Sequence, residues 1–61
     1  MTGKLILRFR PKEYLHYLEK DNRNDIVKAA GFYAESFKNS LKDGEFLEAE
    51  LVLPDGEKLL V

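Results

Sequence analysis

Lys4-Leu5-Ile6-Leu7-Arg8-Phe9-Arg10-Pro11 is the stretch on which the fold turns. Its residues alternate: Leu5, Leu7 and Phe9 fall on one side of an extended chain, and Lys4, Ile6, Arg8 and Arg10 fall on the other. Such a segment is a strand with one apolar face and one mostly basic face. Pro11 ends it, since Pro has no backbone donor for a ladder, and Pro is well tolerated as the first residue of a helix.

Downstream of Pro11, the spacing of Tyr14, Leu15 and Leu18 predicts a short helix over Lys12 to Lys20. Asp21-Asn22-Arg23-Asn24 is a polar turn, with Asn24 as the expected N-cap and Asp25 in the first turn, where the helix dipole favours an acid. The helix expected over Asp25 to Leu41 carries one apolar stripe of Ile26, Ala30, Tyr33, Ala34, Phe37 and Leu41. Lys42-Asp43-Gly44 closes it. Glu45 to Leu53 alternates again, with Leu47, Ala49, Leu51 and Leu53 on one side and Phe46, Glu48, Glu50 and Val52 on the other. Pro54-Asp55-Gly56 is a turn, after which Lys58 to Val61 returns as a third strand. The expected order is β-α-α-β-β, an α+β fold in a single domain over residues 1–61.

The chain is only 61 residues long, so it buries roughly 60% of its unfolded surface and is marginal on its own. Small folds are usually held by disulfides, a metal or a second chain. There is no Cys and only one His, which leaves dimerisation as the expected staple. A hydrophobic fraction of 44% and a charged fraction of 34% are those of a folded protein. No apolar run approaches the roughly 20 residues of a membrane span, and Met1 to Lys4 leads into too short an apolar run for a secretory signal. A cytoplasmic location without membrane contact is therefore expected.

The net charge of −1 conceals an asymmetry. Met1 to Lys28 holds seven basic residues against four acids, whereas Ala29 to Val61 holds three Lys against seven acids. A basic footprint, where one exists, lies on the first strand and the segment after it.

The basic strand, the Pro, a short helix, a polar turn and a longer amphipathic helix together resemble the ribbon-helix-helix family of DNA-binding proteins. Lys4 to Pro11 resembles the family's ribbon. Asn22-Arg23-Asn24-Asp25-Ile26-Val27-Lys28-Ala29-Ala30 resembles the start of its second helix, with Asn for the usual capping Ser, Asp for Glu and Lys for Arg. The resemblance covers residues 4–42, with residues 45–61 as an added C-terminal hairpin. The first helix is about a turn short of the family's, the usual Gly of the inter-helix turn is absent, and Ile6 takes a ribbon position that is often polar.

The resemblance implies an intertwined homodimer in which two first strands pair as an antiparallel ribbon. Leu5, Leu7, Phe9, Ile26, Ala30, Tyr33 and Phe37 would then form the dimer core. Lys4, Ile6 and Arg8 would meet base edges in the major groove of double-stranded DNA, and Arg10, Asn22, Arg23, Asn24 and Lys28 would meet phosphates. That is a transcriptional regulator or an antitoxin. The alternative is a small protein-interaction module, an antitoxin or a phage-type inhibitor, that uses the acidic hairpin of residues 45–61 and binds no DNA.

Each feature also has a plainer reading. Lys4, Arg8 and Arg10 serve equally well as the solvated face of an edge strand. Asn22 to Asn24 is a turn and cap in any fold. Gly31 weakens a helix unless close packing, here between two helices, requires it, and Phe32 lies off the main stripe. His16 has no second His or Cys to share a metal, so neither a metal nor another cofactor is expected. Ser36 and Ser40 lack a His–acid arrangement, so no enzyme is expected. Glu45, Glu48 and Glu50 read as solvent-facing charge.

Overall fold

Leu5 and Leu7 are fully buried, and the strand that carries them lies in the middle of a sheet rather than at its margin. The computed structural model describes residues Met1–Val61. Its elements are β1 (Thr2–Phe9), β2 (Glu13–Glu19), α1 (Arg23–Asn39), β3 (Phe46–Val52) and β4 (Lys58–Leu60). The strands form one sheet in the order β2-β1-β3-β4, with every neighbouring pair antiparallel. Since β2 and β3 both run against β1, they run parallel to one another, and α1 connects them across one face of the sheet. The fold is α+β, a single helix laid on a four-stranded antiparallel sheet.

The alternation of β1 decides which face α1 covers. Leu5 and Leu7 join Leu18 of β2, Ala49 and Leu51 of β3, and Leu53 just beyond it, in one cluster with Ile26, Ala30 and Ala34 of α1. The two Ala on the buried stripe keep the helix close to the sheet. Gly3 serves the same end: a Cβ there would meet Ile26 Cγ2 at 2.9 Å and Leu51 Cδ1 at 3.1 Å. Towards the other end of the helix the packing turns aromatic. His16 stacks on Tyr33 at 4.1 Å between ring centroids, and Phe9 meets Phe37 edge-on at 5.0 Å. The Tyr14 hydroxyl beside Tyr33, together with desolvation, raises the Tyr33 phenol above its ordinary pKa.

The segment expected as a first helix, Lys12 to Lys20, is instead strand β2, so the order is β-β-α-β-β. A spacing of four residues, as between Tyr14 and Leu18, fits one face of a strand as well as one turn of a helix. A helix of about this length is too short to hold itself together in water. The same residues as a strand pair seven consecutive positions with β1, and two Tyr favour the pleated conformation. Pro11, expected to open a helix, lies in the β1–β2 connection after a cis peptide bond.

The helix starts earlier than expected. Asn22, not Asn24, is its N-cap, and the Asn22 side chain accepts from the Asp25 amide at 3.0 Å. Between β1 and β3 the register slips, so that Arg8 faces Glu48 while Phe9 faces Phe46. The slip leaves Leu47 54% exposed and packs Phe46 against the core, the reverse of the simple alternation expected for that strand.

The intermolecular ribbon expected of β1 has no edge on which to form. β1 is hydrogen-bonded to β2 on one side and to β3 on the other. Of the expected dimer-core residues, Leu5, Leu7, Ile26 and Ala30 are wholly buried within one chain, Tyr33 and Phe37 are partly buried against that same core, and Phe9 is partly buried beside Phe37.

Candidate interaction face

One face of the sheet carries α1; the other is open. Beyond a Thr2–Glu19 pair at one margin, the registers arrange the open face in three rows. Tyr17, Lys4, Val52 and Lys58 form the first; Leu15, Ile6, Glu50 and Leu60 the second; Glu13, Arg8 and Glu48 the third. Ile6 and Val52 are half-buried at the centre, while Leu15, Tyr17 and Leu60 are each at least 50% exposed. Apolar and charged side chains interleave: Lys4 stands between Tyr17 and Val52, Glu50 stands between Ile6 and Leu60, and Glu13, Arg8 and Glu48 form a charged margin.

The charged margin is organised by Arg8. Its Nε lies 3.2 Å from Glu13, one Nη donates to Glu48, and the other lies 3.4 Å from Glu50. Three carboxylates around one guanidinium leave this end net negative. Desolvation works against the charge on Arg8, but the hydrogen bond to Glu48 and its charge, followed by those of Glu50, outweigh it and raise the guanidinium pKa. At the opposite corner the Thr2 hydroxyl donates to Glu19, and the Met1 ammonium donates to the same carboxylate at 3.2 Å. These two partners lower the Glu19 pKa.

The expected base-reading residues Lys4, Ile6 and Arg8 do share this face, as their alternation required. Their setting differs from a ribbon: Arg8 spends its donors on three acids of its own chain. Arg10 is exposed beyond the end of β1. The expected phosphate contacts at the helix start lie elsewhere. Asn22 caps the helix, Arg23 bonds Glu57 at 2.7 Å, and Asn24 and Lys28 are exposed on the helix layer. That layer is on the far side of the sheet from Lys4 and Arg8, so one flat ligand does not touch Arg8 and Lys28 together.

Leu15, Tyr17, Val52 and Leu60 were not singled out from the sequence as interaction residues. Leu15 and Tyr17 were hidden by the helical reading of their segment. Glu48 and Glu50 carried a legible signal, since two acids at i and i+2 on an antiparallel strand present themselves to a cation across the ladder. No group of His, Cys, Asp and Glu has the arrangement of a metal site, and no helix is long and apolar enough to cross a membrane.

The chain thus defines a class by architecture, a one-helix α+β domain with one open sheet face of mixed apolar and charged residues. Comparison with protein-family models, with characterised proteins and with solved structures gives no match.

Proposed function

We propose that this chain is a non-catalytic binding module that docks another protein on its open sheet face. The carrying observation is that Leu15, Ile6, Leu60, Tyr17 and Val52, interspersed with Lys4 and Glu50, share one sheet face that no element of the chain covers. Apolar side chains exposed together on one sheet face and interleaved with Lys and Glu suit a mixed protein interface of apolar contacts and charge pairs. The hairpin of β3 and β4 supplies Glu48, Glu50, Val52, Lys58 and Leu60, so the acidic C-terminal segment is part of the docking surface. The partner that fits presents an apolar patch with a cation placed to meet Glu48 and Glu50 and an acid placed to meet Lys4 and Lys58.

Reading DNA through a ribbon makes two demands, an unpaired edge on β1 and an unengaged Arg8. The first is taken by β2 and β3, and the second by Glu13, Glu48 and Glu50. The protein reading needs neither.

A photo-activatable cross-linker placed at Leu15 or Leu60, compared with one at Glu35 on the helix, tests the reading in cells that produce the protein. The expected result is one protein species joined from both sheet positions and lost when Ile6→Glu is added. Cross-links to nucleic acid alone, or binding of mixed-sequence duplex DNA that weakens steeply with salt, would overturn it.

A further inference from the structure

Phe32 is the most exposed large apolar side chain in the molecule, at 80%, and it sits on the outward face of α1 beside Gly31. Neither residue serves the fold of the single chain. A Cβ added at Gly31 would meet nothing within 4 Å, and its backbone is ordinary helix. Gly is the weakest helix former after Pro, and here the helix receives no compensating contact from its own sheet. A half-buried glycine on the flank of the helix, next to an uncovered Phe on the side opposite the buried stripe, is instead what close approach by another helix requires.

The charges around this pair select the partner. Lys28 lies one turn before Gly31 and Phe32, and Glu35 one turn after them, on the same outward face. An antiparallel two-fold pairing centred between positions 31 and 32 sets Lys28 against Glu35 of the second copy, and by symmetry does so twice. A parallel pairing would set Lys28 against Lys28 and Glu35 against Glu35, like against like. The surface is therefore complementary to itself in one direction only.

We infer that a second copy of this chain docks on the outward face of α1, helix against antiparallel helix. Gly31 lets the two backbones approach, the two Phe32 rings pack side by side at the centre, and Lys28 and Glu35 pair across the seam at both ends. The dimer leaves both open sheet faces pointing outward. It is independent of the protein-docking reading of that face and stands or falls separately from it.

Sedimentation equilibrium of the whole chain tests this, with circular dichroism to confirm that each variant is folded. The wild type should associate as a dimer. Phe32→Ala should raise its dissociation constant by about tenfold or more, as loss of a central aromatic anchor does. Lys28→Glu, which places two carboxylates together at each end, should weaken it similarly, and the double exchange Lys28→Glu with Glu35→Lys should recover most of the loss. A wild type that stays monomeric at high concentration overturns the inference. So does a dimer indifferent to Phe32→Ala, or one whose charge exchange brings no recovery.

Discussion

Arg8 stands directly opposite Glu48 in the β1–β3 ladder, and its guanidinium donates to that carboxylate on the open face of the sheet. Glu13 from β2 and Glu50 from β3 complete the cluster, so one side chain of the central strand draws both neighbouring strands together.

Removing that side chain should therefore affect folding. Arg8→Ala leaves Glu13, Glu48 and Glu50 facing one another without a cation, and the melting temperature at neutral pH should fall. The sign comes from the raised guanidinium pKa: the contribution is fully present below the unfolded value and is lost only at extreme alkalinity. The deficit should shrink at high salt, which screens the three carboxylates from one another and from the guanidinium. A melting temperature unchanged at pH 7 would mean that the cluster contributes nothing to the fold.

Glu19 offers a narrower test. The Thr2 hydroxyl and then the Met1 ammonium hold its carboxyl below the ordinary carboxylate range. A depressed folded pKa contributes stability above the unfolded value, about 4.3 for Glu, and loses it as the pH falls through the folded value. Carboxyl NMR titration should find Glu19 among the most acidic Glu of the chain, and Thr2→Val should move it back up. An unmoved titration in Thr2→Val would show that the hydroxyl bond does not persist in solution.

Gly3 lies under the helix, with Ile26 and Leu51 where its Cβ would go. Gly3→Ala forces a methyl into a filled core, and overpacking of this kind costs about 1–3 kcal/mol. Urea denaturation should show the midpoint falling by a corresponding amount with little change in slope. A midpoint at or above that of the wild type would mean that α1 sits farther from β1 than it does here.

Local pattern carried part of this architecture in plain view. The alternation of Leu5, Leu7 and Phe9 located a strand and its buried face, and the stripe through Ile26, Ala30 and Ala34 located the helix. The segment from Glu13 to Glu19 was not legible, because Tyr14 and Leu18 satisfy a helical and a pleated period alike. What decides it is pairing with β1, a contact that local pattern does not encode. The same holds for the interaction face. Arg8 looked like an unengaged cation because Glu48 lies 40 residues away in the chain. Leu15, Ile6, Glu50 and Leu60 fall into one row only once β2, β1, β3 and β4 are in order. The ribbon reading leaned on the helix-turn-helix order expected over Lys12 to Leu41, and that order is lost where Glu13 to Glu19 pairs as β2.

Gly31 separates stability from assembly by the sign of one substitution. In the single chain nothing opposes a methyl at this position, and a helix interior prefers Ala to Gly by about 1 kcal/mol. Gly31→Ala should accordingly raise the denaturation midpoint measured at low protein concentration, where chains are apart. At the seam between two α1 helices the same methyl, added twice, holds the backbones farther apart and loosens the packing of Phe32. The dimer dissociation constant should then rise while the monomer becomes more stable. A residue kept for packing within its own chain would lose stability on this change, and a residue of no consequence would gain stability with no effect on association. Opposite movement of the two quantities is the outcome that only a docking role for this face of α1 produces.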